Sequence, residues 1–99
     1  MGANERNAAR EERMRAICAY VRELSPMAPV TEEAVARFAL RYAGAEAIHQ
    51  VKDNLVYLTS VGDLKRERVW GDGVWMYQFA ITAQGIDRLD GRIAPWGAA

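Results

Sequence analysis

Cysteine is almost absent from this chain: Cys18 stands alone among 99 residues, so neither an intramolecular disulfide nor a cysteine-rich zinc site can form within it, and a reducing compartment is expected. Histidine is equally scarce. With His49 unaccompanied by a second histidine or a cysteine at ligand spacing, neither a metal centre nor any other cofactor is expected. An excess of charge of either sign is missing too, because 13 Lys and Arg balance 13 Asp and Glu. No net positive field then draws nucleic-acid phosphates from a distance, and any contact with DNA must rest on a local patch. No apolar run reaches the length of a membrane span, and Met1 to Arg15 are polar and charged where a secretory signal would be apolar; the expectation is a cytoplasmic protein without a membrane partner.

Catalytic groupings are missing in the same way. No glycine-rich loop leads into a helix with a following lysine, so nucleotide cradling is not expected and Gly71-Asp72-Gly73 reads as a turn. Glu11 with Glu12, and Glu32 with Glu33, are adjacent on exposed helix positions and lack the burial and opposed geometry of an acid-base pair. Cys18 falls on an apolar helix stripe, where a structural thiol belongs. No enzyme is expected.

What the chain has is enough apolar material for one core: 51% hydrophobic and 26% charged residues, in a length that folds as one domain without staples. Met14, Ile17, Cys18, Val21 and Leu24 recur at the spacing of one helical face, predicting a first helix from about Asn4 to Leu24 that Ser25, Pro26 and Pro29 terminate. Its opening turns alternate acids and bases and read as a polar, frayed extension over residues 1–12, with the domain proper over 13–91 and a tail over 92–99. A second helix begins at Thr31, a capping residue followed by Glu32 and Glu33, with Ala34, Val35, Phe38, Ala39 and Tyr42 on one face and Gly44 just past its end. A third follows closely, Ile48, Val51, Leu55 and Leu58 facing one side, and two helices joined so tightly predict a helix-turn-helix.

After Gly62 the period changes to alternation. Leu64 to Trp70 and Val74 to Ile81 predict two strands, joined through the Gly71-Asp72-Gly73 turn into an antiparallel hairpin. Thr82 then caps a short last helix through Leu89, closed by Gly91; Trp96, in the tail, is expected to fold back on the core. The fold class is α+β, a three-helix head with a two-stranded antiparallel wing and a short carboxy-terminal helix.

Two stretches carry a resemblance. Leu55-Val56-Tyr57-Leu58-Thr59-Ser60-Val61-Gly62-Asp63-Leu64-Lys65-Arg66 is similar to the end of a recognition helix running into a first wing strand, and Tyr77-Gln78-Phe79-Ala80-Ile81-Thr82-Ala83-Gln84-Gly85-Ile86-Asp87-Arg88-Leu89 to a second wing strand entering a terminal helix. Together they resemble the winged helix-turn-helix superfamily over roughly residues 17–89. The resemblance implies double-stranded DNA as partner and transcription regulation as role, with the third helix in the major groove and the wing on phosphates.

On that reading the third helix offers Glu46, Ala47, His49, Gln50, Lys52 and Asp53 to the groove. Gln50 suits an adenine edge, and His49 or Lys52 a guanine or a phosphate, while Glu46 and Asp53 oppose the negative groove. The wing adds Lys65, Arg66 and Arg68 for phosphates, although alternation places Arg66 and Arg68 with Leu64 and Trp70 and puts Lys65 on the opposite face. The expected DNA contacts are thus His49, Gln50, Lys52, Lys65, Arg66 and Arg68, against the alternatives of an ordinary polar helix face and a charged edge strand that blocks aggregation. The competing reading is a protein-interaction or assembly module. It uses Trp70, Trp75 and Met76 at the hairpin tip, an aromatic and methionine enrichment that suits either stacking on unpaired bases or a protein-contact patch, and the first helix, which would pair with a second copy into a homodimer. Tyr77, Phe79 and Ile81 are expected in the core.

Overall fold

The computed structural model describes residues 3–24, 30–39 and 50–96. Helix α1 spans Ala3–Leu24. Met14, Ile17, Cys18 and Val21 on its predicted stripe are all at most 1% exposed, and burial of each large apolar side chain contributes about 1.5–3 kcal/mol. The helix lies against α2, the sheet and the last helix.

Strand β1, Val30–Thr31, comes next. Helix α2 starts at Glu32–Ala34 and widens into a π-helical turn over Val35–Ala39. Thr31 caps it as expected, its hydroxyl oxygen accepting the Ala34 N–H at 3.1 Å, with Glu32 and Glu33 in the first turn. Val35 is fully buried, whereas Phe38, expected beside it, is 50% exposed and stacks instead on Tyr20 with ring centres 6.4 Å apart. The wider i→i+5 turn advances each residue less than an α-helix does, so three residues after Val35 the chain has not come back to the same face. Tyr42, Gly44 and Ile48 lie outside the described residues.

Helix α3 covers Val51–Ser60 and buries Val51, Leu55 and Leu58. It ends in a Schellman turn: Gly62 has φ +91°, its N–H bonds the Thr59 carbonyl, and the Asp63 N–H reaches back to the Leu58 carbonyl. Strands β2, Leu64–Gly71, and β3, Val74–Ile81, pair antiparallel in continuous register from Leu64↔Ile81 to Gly71↔Val74. Between them Asp72 and Gly73 have φ of +49° and +78°, the two positive angles of a type I′ turn, whose twist matches that of the strands. Thr82 caps helix α4, Ala83–Leu89, and Gly91 at φ +79° closes it.

The sheet is three-stranded, in the order β1-β3-β2, where two strands were expected. Val30 pairs with Phe79 and Thr31 with Gln78. Two residues are too few to carry a period, so β1 has no sequence signal; it forms because Val30, 1% exposed, is pulled into the core beside Phe79. The described residues make a mixed α+β domain of four helices and an antiparallel sheet, an arrangement compatible with a small winged-helix-like fold.

Asp63 joins the pieces. It is fully buried, and its carboxylate accepts from Arg88 Nε at 2.8 Å, Gln84 Nε2 at 2.7 Å and Trp96 Nε1 at 2.6 Å. Its backbone carbonyl accepts from the Thr82 N–H at 3.1 Å. The end of α3, the start of β2, helix α4 and the tail therefore meet on one residue, and Trp96 is 2% exposed, folded back as expected.

Candidate nucleic-acid interface

Among the described residues, only the base of the hairpin has helices behind it. On one sheet face, Leu64 and Phe79 are buried and Ile81 is half-buried against the core. The same face continues outward through Arg66, Arg68 and Trp70 on β2 and Tyr77 and Trp75 on β3, where no described element covers it. Trp70, Trp75 and Tyr77 are 60%, 56% and 42% exposed. The expectation of Tyr77 as core is thus overturned, while Trp75 is exposed as a tip residue: strict alternation identifies a face, but eight-residue strands outrun the helices that would bury its far end.

These side chains are ordered along the ribbon. Each arginine leans diagonally toward the tip across the strand pair, the Arg66 guanidinium lying 4.3 Å from the centre of the Tyr77 ring and that of Arg68 4.5 Å from Trp75. Trp70 and Trp75, directly opposite in the register, meet edge to face with ring centres 5.2 Å apart.

At the base of this face the ribbon meets α3. Lys52, Val56 and Thr59 of the helix, Arg66 and Tyr77 of the ribbon, and Glu32 line a cleft of about 230 Å³. Lys52 and Arg66 therefore share one cleft, and Arg68 follows on the same strand face. Among the described residues, Glu32 is the one acidic residue lining that cleft.

Other expected contacts are placed elsewhere. Gln50 and Asp53 line a second cleft of about 260 Å³ on the α1 side of α3, together with Arg10 and Arg13. Arg10 lies 4.5 Å from the centre of the Tyr57 ring there. Asp53 is thus turned from the cleft that holds Lys52, and Gln50 with it, since residues 52 and 53 stand about 100° apart on a helix of 3.6 residues per turn. Lys65 is on the opposite sheet face, 3.8 Å from Glu67. Met76 is also there, across from Val69 and away from Trp70 and Trp75, so the expected tip cluster divides between two faces. His49, with Glu46 and Ala47, lies outside the described residues.

Sequence reasoning missed Tyr77 as a surface residue and Arg10 and Arg13 as neighbours of α3. An arginine two places from the next on a strand, opposite aromatics at the same spacing, was the available signal for the ladder; nothing in the sequence placed α1 against α3. Burial pushes the Cys18 thiol up to about 12, with Asp63 adding to the rise, so Cys18 is no nucleophile near neutrality. No cluster of three metal-ligating side chains occurs among the described residues.

Compared with protein-family models, with curated proteins and with solved structures, the chain matches none.

Proposed function

We propose that this chain is a small winged-helix DNA-binding protein, a regulator of transcription, that holds double-stranded DNA between α3 and the wing. The observation that supports it is the convergence of Lys52 from α3 and Arg66 from β2 on one cleft, with Arg68 next along the strand and Asp53 lining the other cleft, on the α1 side of the helix. In this reading Lys52 meets the groove or a phosphate while Arg66 and Arg68 hold the backbone.

Binding should follow counterion release. Three phosphate contacts give a slope of log affinity on log salt near −2.7, so affinity falls about 40-fold between 50 and 200 mM salt. Replacing Arg66 and Arg68 together by alanine leaves a slope near −0.9 and weakens binding about equally for all sequences. Fluorescence anisotropy on duplex DNA at several salt concentrations measures both. An unchanged slope in the double variant removes the wing from the proposal.

The exposed Trp70, Trp75 and Tyr77 favour a second reading, an assembly module that docks a protein, in which the zero net charge is no handicap. Failure to bind duplex DNA or heparin at low salt, with partner capture abolished by Trp75→Ala, would favour that reading.

A further inference from the structure

We propose that the aromatic and arginine face of the wing is a stacking site for unpaired nucleobases, so that the preferred target is a duplex with an adjoining single-stranded stretch. The inference rests on the DNA-binding reading and narrows its ligand. Intact duplex DNA shows proteins its phosphates and its base edges, while the faces of its bases are closed against one another. Three rings that are 42–60% exposed contribute little to recognition of edges or phosphates. Their faces, and the planes of the guanidiniums laid on Tyr77 and Trp75, match the faces of bases that have left the stack.

Spacing points the same way. Same-face neighbours on a strand are about 6.5–7 Å apart, roughly twice the 3.4 Å rise between stacked bases of one DNA strand. Successive rungs therefore cannot be filled by a stacked helix, but they can by an unstacked strand running from the cleft toward the tip.

The distribution of charge separates this ligand from a protein. A protein-binding patch gathers apolar residues at its centre and charges at its rim. Here a cation accompanies the aromatics at successive rungs, Arg66 with Tyr77 and Arg68 with Trp75. Glu67, the acid within β2, is on the other face beside Lys65. The path is continuous with Lys52 through the cleft, so a duplex on α3 and a single strand on the ribbon would be held by adjoining surfaces of one site.

The test compares a short blunt duplex with the same duplex carrying an oligothymidine tail, using the full chain at fixed salt, by anisotropy and by tryptophan fluorescence. Tighter binding of the tailed probe by about tenfold is expected, within the fivefold to hundredfold that stacking one base provides. Tryptophan quenching by the tailed probe should accompany it, arising from Trp70 and Trp75, since Trp96 is buried. Trp75→Leu and Trp70→Leu, both at exposed positions, should remove the preference and most of the quenching while leaving blunt-duplex affinity within about twofold. Equal binding of tailed and blunt probes by the unaltered chain, or a preference that survives both leucine variants, overturns the inference while leaving duplex binding intact. No binding of any probe at low salt overturns the DNA-binding reading and this inference with it.

Discussion

Replacing Asp63 by asparagine keeps the side chain's shape and removes its charge, which isolates what the buried carboxylate does. The residue has no exposure and takes hydrogen bonds from Arg88, Gln84 and Trp96 at 2.6–2.8 Å. Asparagine offers one oxygen where two stood and sets an amide N–H₂ against either Gln84 or the Arg88–Trp96 pair. Removing one partner of a buried ion pair costs about 3–5 kcal/mol. The Arg88 side chain is 18% exposed and so partly solvated, which places the loss near the lower figure, about 3 kcal/mol. A domain of this size has a total stability of about 5–15 kcal/mol, and each kcal/mol shifts the midpoint by roughly 4–8 °C, so melting should fall by about 12–24 °C. Circular dichroism melts and urea titrations of Asp63→Asn, Trp96→Phe and the double variant measure it. Trp96→Phe alone loses one hydrogen bond to a charged acceptor, about 1.5–3 kcal/mol, and the double variant should lose less than the sum because both changes strike one network. A change within about 0.5 kcal/mol for Asp63→Asn, the range of an ordinary surface substitution, would refute the account of Asp63 as the residue that fixes α3, the hairpin, α4 and the tail together.

Two further outcomes follow from buried geometry. The Cys18 thiol is raised by burial from 9.0 to about 12. Above pH 9 the unfolded chain therefore gives up a proton that the folded one keeps, and stability should fall as pH rises, by up to about 1.4 kcal/mol per unit, levelling off near pH 12. Urea midpoints at pH 8 and 10 should show this fall in the native chain and a smaller one in Cys18→Ala; parallel falls would contradict it. Gly85→Ala should destabilise by about 2 kcal/mol despite the better helix propensity of alanine, because the new Cβ overlaps the Asp63 carbonyl and comes within 2.9 Å of Ile81 Cγ1. A neutral or stabilising result in a thermal melt would show that α4 can move away from the start of β2.

Local rules sufficed wherever the deciding contacts are close in sequence. The stripe from Met14 to Val21, the cap at Thr31, the stop at Gly62, the Asp72-Gly73 turn and the cap at Thr82 each involve partners within a few residues, and the fold honours all of them. Alternation along β2 and β3 likewise showed which side chains share a face. It did not show where along that face burial stops, because that depends on how far the helices reach beneath the ribbon. Tyr77 consequently went from expected core to open surface; Met76, next to Trp75 in the strand, falls on the other face by that same alternation. The helical period sets Lys52 and Asp53 about 100° apart but could not say which side of α3 meets α1 and which meets the hairpin, so the cleft each of them lines was decided by packing. Strand β1 and the burial of Asp63 have the same origin: Val30 meets Phe79, and Asp63 meets Trp96, across stretches of chain far longer than any periodicity spans.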